Sequence, residues 1–138
     1  MELTVLDAGV LIGVLDATDA HHAAAVDAVR KALGRGDRLL LPASAYAEIL
    51  VAPHRRGGEA VGTVDAFVDA LPAAIEPISR AIAAQAADLR ARHGARLRLP
   101  DAFVVATALV HNATRIVTTD AGWPRLPVTV ELISAEKE

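Results

Sequence analysis

Four carboxylates in this 138-residue chain stand where acids are out of place. Asp7 interrupts the apolar run Leu3-Thr-Val-Leu-Asp7-Ala-Gly-Val-Leu-Ile12, and Glu48 is the one charged residue among Ala43, Ala45, Ala47, Ile49, Leu50 and Val51. Asp101 follows Pro100 at the head of a second apolar run that ends at Val110, and Asp120 follows Arg115-Ile-Val-Thr-Thr119. A buried, ionised carboxylate is strongly unfavourable alone, so each needs a hydrogen bond, an ion pair or a bound cation. Converging carboxylates would repel and raise one another's pKa, an arrangement that makes sense only around divalent cations. The chain has no cysteine, so disulfides and thiolate ligands are excluded and oxygen or imidazole donors remain; oxygen donors such as these acids suit one or two Mg²⁺ or Mn²⁺ ions.

Taken singly, each acid also has a plainer use. Asp7 suits a helix N-cap, Asp101 suits the positive end of a helix dipole, and Asp120 ahead of Gly122 suits a turn. Glu48, in the middle of an apolar helix, has no local backbone donor. The conjunction of four is more specific than any member. Asp16, Asp19, Asp27, Asp37, Asp65, Asp69 and Asp88 lie in polar or helix-surface contexts and are expected to be solvated.

The elements that must position these acids alternate. Leu3–Leu6 reads as a buried strand ending at Asp7, followed by a turn into a helix at Gly9. Asp19 is the expected cap of a helix over Ala20 to Leu33, stopped at Gly34-Arg-Gly36. Arg38–Leu41 is a second strand, and Pro42 then opens a helix expected to end near Ala52, before Pro53. Glu59 to Leu71 carries helical spacing, a short strand lies around Ala74 to Glu76, and Ser79 caps a helix through His93. Pro100 to Val110 is apolar nearly all round and reads as a buried helix. Arg115–Thr119 is a strand, Val128–Ile133 a last one, and the charged tail is expected to fray. This pattern predicts one α/β domain over residues 1–138 with a central, mostly parallel sheet of four to five strands flanked by helices, and a ligand crevice at the strands' carboxyl ends.

Composition narrows the function further. Hydrophobic residues make up 53% and charged ones 22%, a globular balance; no run of 18 apolar residues and no basic leader is present, so a cytoplasmic protein without a membrane span is expected. A net charge of −3 argues against binding by general phosphate neutralisation, although four acids committed to cations would leave the remaining surface slightly positive. Arg90, Arg92, Arg96 and Arg98 gather ahead of Asp101, with Arg55 and Arg56 as a second group; both suit either RNA phosphates or solvated ion pairs. Four aromatic residues do not support extended base stacking. His21 and His22, adjacent on a helix, are expected at the surface and not in a zinc site.

In this order and these contexts, Leu6-Asp7-Ala-Gly-Val-Leu-Ile12, Ala47-Glu48, Pro100-Asp101 with Ala106 and Ala108, and Thr118-Thr-Asp120-Ala-Gly-Trp123 resemble the PIN-domain family, specifically the short VapC-type toxins of bacterial toxin–antitoxin pairs. The resemblance implies a metal-dependent endoribonuclease in which Asp7, Glu48, Asp101 and Asp120 ligate Mg²⁺ or Mn²⁺ directly or through water. Asp7 and Asp101 would share the metal and Asp120 would act through water. Such a cation lowers the pKa of a water and assists in-line attack on phosphorus, which needs no 2′-hydroxyl and leaves a 5′-phosphate and a 3′-hydroxyl. Thr118 and Thr119 are supporting candidates as hydrogen-bond donors to a carboxylate or ligand water. A homodimer and a VapB-type antitoxin that covers the groove are implied as well. One departure is that the family often carries Ser, Thr or Asn just after the first Asp, where this chain has Ala8 and Gly9.

Two other readings remain. A phosphoacceptor signalling domain also gathers acids at parallel strand ends, but it wants an acid pair near the first strand and a lysine after a late one; the only lysines here are Lys31 and Lys137. A non-catalytic PIN-fold module binding RNA or protein would not require all four acids.

Overall fold

A computed structural model describes residues 1–135; the last residues of the charged tail, expected to fray, lie outside the described residues. Five strands form one sheet in the order β3-β2-β1-β4-β5, every pairing parallel. They are β1 (Leu3–Leu6), β2 (Arg38–Pro42), β3 (Ala73–Glu76), β4 (Arg115–Thr118) and β5 (Thr129–Leu132). The three central strands are continuous apolar runs because helices cover both of their faces, while the edge strands β3 and β5 stay partly exposed. The expected α/β class is therefore observed, with five strands and no antiparallel member among the described residues. Strand order reverses between β1 and β4, and such a switch opens a crevice at the carboxyl edge. A phosphoacceptor domain would have the order 2-1-3-4-5, so that alternative is set aside.

Helices α1 (Ala8–Leu15), α2 (His22–Gly34), α3 (Ala43–Arg56), α4 (Gly58–Ala70), α5 (Arg80–His93) and α6 (Leu99–Val110) pack around the sheet. Ser79 caps α5 as expected, its hydroxyl accepting from the Ile82 N–H at 3.1 Å. The core joins Leu6, Leu11, Leu39, Leu41 and Ile116 to Val104 and Val105 of α6, the helix that is buried nearly all round.

Four local expectations need correction. Helix α2 starts at His22, not Ala20, because Asp19 accepts from the His21 N–H at 2.8 Å in a turn before the helix and does not cap it. Pro42 is the last residue of β2 and precedes α3 instead of lying in its first turn. Helix α3 runs through Pro53 to Arg56: a proline forfeits one backbone hydrogen bond without having to end the helix, and the stop comes at Gly57, whose φ of +123° suits glycine. Asp37 is buried, not solvated, at 7% exposure. Its carboxylate meets Arg35, Arg115 and the Thr4 hydroxyl, partners that fold over it from both central strands and the preceding turn. His21 and His22 are half-buried; the His22 ring bonds the Gly13 carbonyl at 2.7 Å and serves the α1–α2 packing.

Candidate active site

The acid at the end of β1 is the most enclosed of the four, with Asp7 at 7% exposure. Its backbone N–H continues the ladder to the Val117 carbonyl of β4 at 3.0 Å, which fixes it at the sheet's carboxyl edge. One carboxylate oxygen accepts from the Ala8 N–H at 2.8 Å, so the N-cap role is real. The other accepts from the Thr118 hydroxyl at 2.7 Å. Each oxygen retains a lone pair beyond these bonds, so capping and cation binding are compatible uses of the same group.

Thr118 also accepts from the Asp120 N–H at 3.1 Å. A single buried hydroxyl therefore ties the acid ending β1 to the acid just past β4. Asp120 bends back to accept from the Gly122 N–H at 2.8 Å, realising its turn role with one oxygen. Glu48, on the second turn of α3, is exposed, and Asp101 lies half-buried in the first turn of α6.

The charges of these acids reach one another, Asp7 with Asp120, Glu48 with Asp7 and Asp101, and Asp101 with Asp7 and Asp120. Burial raises the pKa of Asp7; the bonds from Thr118 and Ala8 act against it, and the charge of Asp120 adds to the rise. Although its side chain reaches solvent, Glu48 is raised by desolvation from its surroundings and by the charges of Asp7 and Asp101, with Arg98 opposing. Asp101 is raised by burial, then by Asp7 and Asp120, with Arg98 and the Trp123 indole opposing. Among the described residues, no three acids or histidines are close enough to form a ready-made cation cage. The donor set nonetheless fits a hard divalent cation: carboxylates only, mutually repelling, the most buried one without a cationic partner among the described residues.

The arginines separate on inspection. Arg98 reaches the electrostatic field of Glu48 and Asp101, and Arg56 lines a groove that Glu48 also lines. Arg90 is committed to the Gly94 and Leu97 carbonyls, and Arg92 pairs with Asp88 at 3.0 Å. Arg55 and Arg96 are exposed. The groove, about 710 Å³, runs between α1, α3 and α4 over Ile12, Leu15, Ile49 and Val64. A second hollow, at the start of β4 and β5, is lined by none of the acids.

Two contributors escape a reading of residues in isolation. The buried Trp123 indole N–H lies near enough to Asp101 to oppose its pKa rise but outside good hydrogen-bond geometry; the aromatic three residues after Asp120 was visible, but not its direction. Gly9 is the other, because a side chain there would run into the Thr119 hydroxyl. The side-chain donor that Ala8 and Gly9 do not offer Asp7 comes instead from Thr118.

The sequence model of the PIN domain matches residues 4–128. Among solved structures, VapBC2 from Rickettsia felis bound to a promoter DNA fragment superposes with a TM-score of 0.73 at 12% identity, covering 97% of this chain and 99% of that one. VapC20 of Mycobacterium tuberculosis, described as a Sarcin-Ricin loop cleaving toxin, gives 0.66 at 17% identity over 82% and 86%. A toxin–antitoxin complex from Klebsiella pneumoniae gives 0.64 at 20% identity over 88% and 96%. No curated protein matches the chain by sequence. With the family match spanning β1 through the loop before β5, and the fold shared with these structures, the chain belongs to the PIN domain family.

Proposed function

We propose that this protein is a VapC-type endoribonuclease toxin, dependent on Mg²⁺ or Mn²⁺, acting in the cytoplasm as one nuclease domain and neutralised by a VapB-type antitoxin. The observation that carries the reading is the mutual electrostatic coupling of Asp7, Glu48, Asp101 and Asp120 at the β1–β4 switch point. In this reading those four side chains hold one or two cations, with Asp7 and Asp101 sharing the metal and Asp120 acting through water. When bound, the cation supplies an acidified water and offsets charge on the phosphate.

The chain's own groups divide the remaining work. Asp7, held at both oxygens, is the fixed ligand, while exposed Glu48 has the rotamer freedom to close the set. The mutual repulsion of Glu48, Asp101 and Asp7 is the charge that a bound cation would offset. Arg98, beside both, is placed to orient a backbone phosphate, with Arg56 along the groove. In-line attack then leaves a 5′-phosphate and a 3′-hydroxyl. The apolar floor of the groove suits an antitoxin segment that ends at the acids, and exposed Leu33, Val51, Ile75 and Ile78 offer surface for a homodimer.

The deciding experiment maps RNA ends after incubation with purified protein and Mg²⁺ or Mn²⁺. New 5′-phosphorylated ends that vanish with EDTA and with Asp7→Asn or Asp101→Asn are expected. Cleavage that survives either substitution unaltered, or 2′,3′-cyclic phosphate products, defeats the reading.

A further inference from the structure

Gly9 lies two residues after Asp7 in the first turn of α1, and Thr119 lies between Thr118 and Asp120. A Cβ built on Gly9 would run into the Thr119 hydroxyl, while the Cβ of Thr119 would stand 3.4 Å away, an ordinary contact. There is room for one side chain between these two backbones, not for two. We propose that Thr119 is a positioning residue of the acidic site: its hydroxyl fills the place that a side chain on residue 9 would take, and this contact sets the separation of Asp120 from Asp7. The proposal rests on the metal-nuclease reading above.

The geometry supports a spacer because the other links across this seam act on Asp7, not on the backbone of residue 119. Val117 and Thr118 hold Asp7 by hydrogen bonds, and Thr118 holds the Asp120 N–H. Beyond the β1–β4 ladder, the Thr119 hydroxyl occupies the place a side chain on residue 9 would take, so it limits how closely the α1 turn and the segment after β4 can approach. Packed interiors respond to added or lost volume by shifting whole segments. The segment that shifts here carries Asp120 and Trp123.

A reversal of sign between single and double substitutions follows. Gly9→Ala overfills the seam and Thr119→Ala underfills it, whereas the pair places a methyl from residue 9 at 3.4 Å from the remaining Cβ of residue 119. The test measures Mn²⁺ affinity by isothermal titration calorimetry on the full chain, with melting temperature and RNA cleavage beside it. Each single variant is expected to bind Mn²⁺ about 10-fold more weakly and the double variant to return within about 3-fold of the parent, the scale of coupling between touching residues. A contact that serves stability alone would move the melting temperature and leave Mn²⁺ affinity in place, and that result overturns the proposal. So does a double variant no better than the worse single one. If Gly9→Ala does not fold, Thr119→Ser, which keeps the hydroxyl, must bind Mn²⁺ more tightly than Thr119→Ala; equal affinities also overturn it. Asp7→Asn separates the two levels, since undiminished Mn²⁺ binding in that variant removes the metal site itself.

Discussion

Asp7 and Asp37 are equally buried, at 7% exposure each, at opposite ends of the same central strands. Asp37 sits at the amino edge, where Arg35 and Arg115 donate at 2.9 Å and Thr4 at 2.9 Å. Burial alone would raise its pKa, but the Arg35 and Thr4 bonds and the arginine charges outweigh it, and the net shift is downward. Asp7 sits at the carboxyl edge with two neutral donors and acidic neighbours, and its pKa is raised. The same two strands serve both sites: β1 sends Thr4 to Asp37 and ends at Asp7, while β4 sends Arg115 to Asp37 and Thr118 to Asp7. The fold can neutralise a buried acid and does so at one end only. Asp7 serves the fold as the N-cap of α1, yet it lacks the cationic partners that Asp37 has and lies among acids that raise its pKa, which supports the binding-site reading proposed above.

Breaking the comparison at Asp7 has the largest expected effect. Asp7→Asn should lower RNA cleavage roughly ten-thousandfold, as loss of one member of a catalytic unit does. It should also raise the melting temperature in EDTA at neutral pH. An acid whose folded pKa lies above its unfolded value ionises first in the unfolded chain, so stability falls as pH rises through that window; the advantage of Asn should therefore shrink as the pH enters the ordinary carboxylate range. A variant that is less stable than the parent at neutral pH contradicts the idea that Asp7 is uncompensated.

The matching change at the other end should do the reverse. Asp37→Asn removes the carboxylate shared by Arg35 and Arg115, although Arg115 keeps Glu2, and is expected to lower stability by about 1–2 kcal/mol at neutral pH. Because the folded pKa of Asp37 is depressed, the parent's advantage is present above the ordinary carboxylate value and is lost as pH falls through the folded pKa, so denaturation curves of the two should converge in acid. Mn²⁺ affinity of the folded variant should match the parent, and a large loss would mean the two ends are not independent.

Two smaller substitutions sharpen the contrast at the carboxyl edge. Thr118→Val removes both the donor to Asp7 and the acceptor for Asp120, and about 10- to 100-fold weaker Mn²⁺ binding is expected by titration calorimetry. Trp123→Phe keeps the ring and removes the N–H facing Asp101; a loss of about 5-fold in Mn²⁺ affinity is expected, and none would leave the indole a packing group only.

The sequence made the carboxyl edge more legible than the amino edge. β1, β2 and β4 were visible as apolar runs bounded by acids, glycines and Pro42, and the four acids stood out against apolar neighbours in sequence, although Glu48 proves exposed and not enclosed by them. Asp37 gave no such signal. It lies in the polar turn Arg35-Gly-Asp37-Arg38, and its burial is created by Thr4 and Arg115, 33 and 78 residues away. The Thr119–Gly9 fit was hidden for the same reason: the threonine and the glycine were each visible, but their contact belongs to the β1–β4 register. Among the arginines, sequence proximity to Asp101 could not distinguish Arg98, near the acids, from Arg90, which holds two carbonyls at the end of α5.

The pairing of β1 with β4 also sets a schedule. Asp7 and the threonine that grips it are 111 residues apart, with the β2 and β3 regions made in between. Contacts so distant along the chain form late, since the loop between them must close first. On the ribosome the first strand can pair with β2 long before β4 emerges, and through that interval Asp7 has neither its hydroxyl donor nor its companion acid. The nascent chain is thus without a complete acidic centre for most of its synthesis.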